Sequence, residues 1–171
     1  MNDLRLPREV ERDPRCDAVR RALGADRRLL WPGGTILAPQ VELTAAVRAA
    51  LVASVPGRML LRGLETAETA LAIERRGLAA LDPAVAARQI RISRLLLVTA
   101  DGAERFYRQV ERLAGLHAPR VLVCRLDATS ADLGHALYGS DATVKLVLTG
   151  HKDAATAFLL ALASADPATA R

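Results

Sequence analysis

The segment from Leu95 to Gly139 constrains the fold of this chain more than any other. Leu95-Leu-Leu-Val98 is apolar at every position, as a strand must be when both of its faces are covered. Thr99-Ala-Asp-Gly102 reads as a turn. The charged run Ala103 to Leu116 then carries Phe106, Val110 and Leu113 at helical spacing, with Glu104 and Arg108 four residues apart. Asp101 is placed to cap that helix. Pro119 precedes a second apolar strand, Val121 to Cys124. Thr129 and Asp132 follow at the spacing of a capping box, opening a helix over Ala131 to Leu137 with Asp where the box prefers Glu or Gln.

The same alternation extends to either side. Thr35 to Ala38, Arg58 to Leu61 and Val144 to Leu148 read as further strands, and Val41 to Ser54 and Glu65 to Ala80 as helices. Pro83 opens a short helix reaching Gln89, and Ala154 to Ala163 forms an alanine-rich closing helix with Phe158 and Leu162. Strands alternating with helices predict an α/β fold, a single three-layer αβα sandwich with a four- or five-stranded sheet over residues 32–171. Residues 1–31 are dense in both charge signs, with Val10, Val19 and Leu23 as apolar anchors. They predict a charged N-terminal arm with a short helix from Pro14 to Ala22, packed on the main body, preceded by a loose segment and closed by Gly24. Trp31-Pro-Gly-Gly34 is a turn by composition.

Chemistry is harder to find. With 51% hydrophobic residues and only 3% aromatic, the core is aliphatic and no base-stacking platform is expected. No apolar run reaches the roughly 18–20 residues of a membrane span. The acidic, polar start lacks the apolar stretch of a secretory signal, and Cys16 and Cys124 form no disulfide framework, so a cytoplasmic protein is expected. His117, His135 and His151 lack metal-ligand spacing, and the glycines form no phosphate-binding fingerprint. No nucleophile motif stands out, so no catalytic residue, cofactor or metal is expected.

Two surfaces remain. Open α/β sheets place ligands beyond the carboxyl ends of their strands. Those ends carry Asp101-Gly102, Asp127-Ala-Thr129 and Thr149-Gly-His151-Lys152, a set of acids, a histidine and a lysine that would serve a small molecule or nucleotide. The second surface is basic. The net charge is +5, and residues 58–94 hold seven arginines (Arg58, Arg62, Arg75, Arg76, Arg88, Arg91, Arg94) against four acids. Guanidinium forks on such a surface match phosphate oxygens.

The segment Ala100-Asp101, together with Leu133-Gly134-His135-Ala136 and Gly139, resembles the kink-turn RNA-binding family of ribosomal and ribosome-associated proteins. The helix ending Glu74-Arg75-Arg76-Gly77 is similar to that family's first RNA-contact helix. The resemblance implies an αβα sandwich that recognises a bent RNA stem through the start of that helix. The first expectation is therefore a non-enzymatic basic protein contacting structured RNA, with Arg75 and Arg76 on phosphates and Glu65, Thr66 and Thr69 near the helix start. The alternatives are a ligand site formed by Asp101, Gly102, Asp127, Thr129, His151 and Lys152, or an assembly subunit whose helix Ala154–Ala163 packs on a protein partner or a second copy.

Overall fold

The structure, a computed structural model, describes residues 4–87 and 90–164. Its strands are β1 (Arg27–Leu29), β2 (Leu37–Glu42), β3 (Leu60–Arg62), β4 (Arg94–Val98), β5 (Val121–Asp127) and β6 (Leu146–Thr149). They form one sheet in the order β1-β2-β5-β4-β6-β3. The central strands β2, β5 and β4 are parallel, while β1, β6 and β3 each run antiparallel to the neighbour on their inner side. The expected α/β sandwich is present, with six strands in place of four or five. The added strand is β1, whose Arg27-Arg28-Leu29 lacks any apolar run and is held by pairing with Leu37–Pro39.

The helices are α1 (Arg8–Glu11), α2 (Cys16–Ala25), α3 (Ala45–Ala53), α4 (Leu64–Ala79), α5 (Pro83–Ala86), α6 (Glu104–Leu116), α7 (Ser130–Tyr138) and α8 (Lys152–Ala163). Strand alternation divides the core into two halves. Leu95, Leu97, Leu122, Cys124 and Val147 point to the face covered by α1, α2, α3, α7 and α8. Leu96, Val98, Val121, Val123, Leu146 and Leu148 point to the opposite face, under α4 and α6. Cys124 lies so deep that burial pushes its thiol up to about 12, which leaves it unreactive.

Several boundaries differ from the sequence reading, each for a local reason. Val19 and Leu23 of the helix expected to pack on the main body are buried in the same core as Phe158 and Leu159. So are Leu6 and Val10 of the segment before it, expected to be loose, which is therefore part of the sandwich. Arg91 anchors it by donating to the Leu6 carbonyl at 3.1 Å and pairing with Glu11, and the Ile92 N–H donates to the Arg5 carbonyl at 2.8 Å. Gly24 lies inside α2, which ends one residue later. The strand expected at Thr35–Ala38 continues to Glu42, and α3 begins only at Ala45, where the Thr44 side chain accepts from the Val47 N–H. Strand β5 continues past Cys124 to Asp127. Residues 88 and 89, the end of the helix expected after Pro83, lie outside the described residues.

Candidate functional site

Parallel strands end on the same edge of a sheet, and β2, β5 and β4 bring Glu42, Asp127 and the turn after Val98 together there. From β4 the chain passes to α6 on one face; from the adjacent β5 it passes to α7 on the other. Neighbouring strands whose connections part in this way leave a crevice between their carboxyl ends, the usual ligand position in open α/β sheets.

The residues change character at this edge. On the α6 face, the inward positions of β2 and β5 run from Ala38, Val121 and Val123 to Gln40, Glu42, Arg125 and Asp127. Register sets Gln40 beside Arg125 and Glu42 beside Asp127. Asp26 and Arg28 complete the outer wall, joined by hydrogen bonds of 3.1 and 2.8 Å. The space these side chains enclose is about 340 Å³. It adjoins a second recess of about 410 Å³, walled by Leu29, Trp31, Pro32 and Tyr107, and the two share Ala100 and Arg125.

The wall is held in place by hydrogen bonds. Arg125 donates to the Ala100 carbonyl at 3.1 Å and stands 5.5 Å from the centre of the Tyr107 ring. The Tyr107 hydroxyl donates to the Thr99 carbonyl at 2.7 Å and accepts from the Gly102 N–H at 2.9 Å. A Cβ at Gly102 would come within 2.6 Å of Phe106 and 2.8 Å of Tyr107, so the turn can lie this close only without a side chain. Trp31 donates its indole N–H to Glu111 at 2.6 Å, and the Arg108 guanidinium lies 4.6 Å from the indole ring centre. The same Glu111 carboxylate accepts from the Thr35 N–H and hydroxyl, both at 2.5 Å, and from the Ile36 N–H at 3.0 Å. Burial alone would raise the Glu111 pKa, but the donors on Thr35, Trp31 and Ile36 together hold it below the usual carboxylate value.

Of the six residues expected at the strand ends, four lie at this edge and two do not. Asp127 is exposed in the crevice. Gly102 lines the recess. Asp101 does not cap α6, whose N-cap is Ala103 without a side-chain bond. It reaches across to α7 instead, accepting from the Ser130 N–H at 2.9 Å and the Ser130 hydroxyl at 2.8 Å. Loss of water would raise its pKa, but those bonds and one from Thr99 outweigh that and lower it. Thr129 caps α7 in a complete capping box with Asp132. His151 and Lys152 lie at the opposite edge, because β6 runs antiparallel to β4. There the His151 ring accepts from the Asp153 N–H at 3.2 Å, and Lys152 pairs with Glu9 at 3.3 Å. The whole length of β4, about 16 Å, separates them from Asp101.

The basic run also divides. Arg91 pairs with Glu11, and Arg94 with Glu74 at 3.1 Å. Arg62 donates to the Thr143 carbonyl at 3.0 Å and lies over the Tyr138 ring. Arg88 lies outside the described residues. Exposed Arg75 and Arg76 stand near the end of α4, while Glu65, Thr66 and Thr69 are exposed nearer its start, some 9–16 Å of helix rise away. The alanine-rich α8 buries Ala154, Ala155, Phe158, Leu159 and Leu162 within the chain, so its apolar face is already covered. None of the described helices is long and apolar enough to cross a membrane.

Sequence reasoning missed Asp26, Trp31, Gln40, Glu42 and Arg125. A signal was present: Cys124-Arg125-Leu126-Asp127 and Gln40-Val41-Glu42 alternate polar and apolar, which continues a strand and marks one of its faces as polar.

No family model matches this chain, and no curated protein matches it. A solved structure described as "a protein with unknown function from Bacillus halodurans C" aligns at 17% identity and a TM-score of 0.44. The alignment covers 71% of this chain and 99% of that one.

Proposed function

We propose that this protein binds a small, ring-containing polar molecule of the nucleoside or sugar type in the crevice at the ends of β5 and β4. One observation carries the reading: the strands turn polar on a single face at the very edge where the chain parts to opposite sides of the sheet. Gln40 and Arg125 are half-buried on a face that is elsewhere apolar. Gln40 donates to the Ala38 carbonyl at 2.9 Å and Arg125 to the Ala100 carbonyl, which leaves further donors on both, and the Gln40 side-chain carbonyl oxygen, for a ligand. Glu42 and Asp127 accept hydrogen bonds from ligand hydroxyl or amino groups, and Arg125 donates to an anionic or carbonyl oxygen. The recess beside Trp31 and Tyr107 receives the flat or apolar part.

Calorimetry and thermal unfolding with a panel of nucleosides and sugars test this. A ligand present at a hundredfold excess over its Kd raises the melting temperature by about 5–10 °C. Asp127→Asn and Arg125→Ala abolish that rise. A panel without effect at millimolar concentration, or equal binding by both variants, ends the proposal.

RNA contact through α4 ranks second. Its support is that the Arg75 and Arg76 guanidinium groups are exposed and make no ion pair among the described residues. On that reading, Arg75→Ala with Arg76→Ala lowers RNA affinity and flattens its salt dependence. Unchanged affinity in the double variant excludes it.

A further inference from the structure

Away from the crevice, α4 and α6 enclose a groove of about 610 Å³. Its floor is apolar, built from Ala72 and Ala79 of α4 and Leu113 and Leu116 of α6. Leu116 is 56% exposed, a large apolar side chain left open to water inside a concavity. The rim is cationic: Arg75, Arg76 and Arg112 line it, against the single acid Glu68. None of the three guanidinium groups makes a hydrogen bond or ion pair among the described residues. Glu74, which lines the adjoining cleft with Arg75, is already engaged by Arg94 and Arg120. His117, which also lines the groove, has its pKa lowered by burial and by Arg75, so its charged form is disfavoured and the positive charge of the rim rests on the arginines.

We infer that this groove is a binding site for an amphiphilic carboxylate, its alkyl chain along the α4–α6 floor and its head group on Arg75, Arg76 and Arg112. The chemistry is complementary in both parts. An apolar floor open to water gains by covering, and guanidinium groups without partners form charge-assisted bonds with carboxylate oxygens. The dimensions agree: from Ala72 to Ala79 the helix rises about 10 Å, the span of a medium-length alkyl chain, and the volume lies in the range of small-molecule sites. Polynucleotide is the weaker match, because no Phe, Tyr or Trp lines the groove to stack a base.

Titration calorimetry with decanoate below its micellar concentration tests the site, with decylammonium and acetate as controls for head-group sign and for the chain. Decanoate is expected to saturate one site, and neither control to bind. Arg75→Ala with Arg76→Ala weakens decanoate binding on the order of tenfold or more. It leaves the unfolding midpoint of the free protein unchanged, since those side chains are exposed and unpaired. Leu116→Glu, which puts a carboxylate on the floor, also abolishes binding, and its far-UV spectrum reports whether the fold is kept. Failure of decanoate to saturate, or equal binding of decylammonium, overturns the inference. So does a structured RNA that binds through the same arginines and is not displaced by decanoate. Arg125→Ala and Asp127→Asn do not alter decanoate binding, which separates this site from the crevice.

Discussion

Among single residues, Glu111 holds the most together. Its carboxylate fixes Trp31, Thr35 and Ile36 at once, tying the loop between β1 and β2 to the middle of α6. Glu111→Gln keeps the size but turns one acceptor oxygen into a donor, leaving a donor facing a donor. The expected loss is about 1.5–3 kcal/mol in urea unfolding at pH 7. The pH dependence follows from the depressed pKa. Glu111 contributes fully above the ordinary carboxylate range and loses its contribution as pH falls through its lowered folded-state value. The gap between wild type and Glu111→Gln is therefore widest near neutral pH and shrinks as pH falls below the ordinary carboxylate range; a constant gap would show that the carboxylate charge is irrelevant. Gly134 makes a different kind of prediction. A Cβ there would overlap the Ala142 carbonyl oxygen and lie 2.9 Å from the Thr143 Cα, so Gly134→Ala forces backbone apart at a cost of about 1–3 kcal/mol. That close approach gives the Leu133-Gly134-His135-Ala136 motif a packing role.

Elements divide into those that announce themselves and those that do not. Strand β4 and helices α4 and α6 were legible within a residue or two, because continuous apolar runs and helical spacing are local signals. The box at the start of α7 was legible for the same reason, and it closes with Asp in the last position. Thr129→Ala removes the acceptor for the Asp132 N–H at 3.1 Å, and about 1 kcal/mol is the expected loss, a fall in melting temperature of about 2–4 °C by calorimetry. An unchanged midpoint would mean that water replaces the cap. The candidate site was only partly legible. Asp127 and Gly102 could be named from strand ends, but the direction of β6 is set by its distant partners Leu96–Val98, and no local pattern records it. Strand ends alone therefore group His151 and Lys152 with residues that lie at the other edge of the sheet. Strand β1 escaped notice because its three residues include two arginines and owe their extended form to β2.

At the scale of the whole molecule, the N-terminal residues decide whether there is one core. Leu6 and Val10 are fully buried beside residues from α8, and β1 covers the edge of β2. Removing residues 1–31 therefore opens the core and uncovers a strand edge. The expected result is loss of cooperative unfolding and of near-UV circular dichroism, with aggregation at micromolar concentration. A truncated chain that unfolds with the wild-type slope in urea would show that the remaining sandwich stands alone. The same architecture keeps the two proposed sites apart. The crevice lies at the carboxyl ends of the parallel strands, whereas the groove joins a cleft that reaches Arg94 and Val121, where β4 and β5 begin. Helix α6 contributes Glu104 and Tyr107 to the first site and Arg112, Leu113 and Leu116 to the second.

Trp31, held between Glu111 and the Arg108 guanidinium at the mouth of the crevice, is the only tryptophan in the chain. All indole emission therefore originates from one ring in one known setting. A molecule settling against that wall shifts or quenches the emission without any attached dye. Filling of the groove between α4 and α6, which no tryptophan lines, leaves the spectrum where it was. The protein thus carries an optical reporter for one of the two proposed sites and is silent at the other.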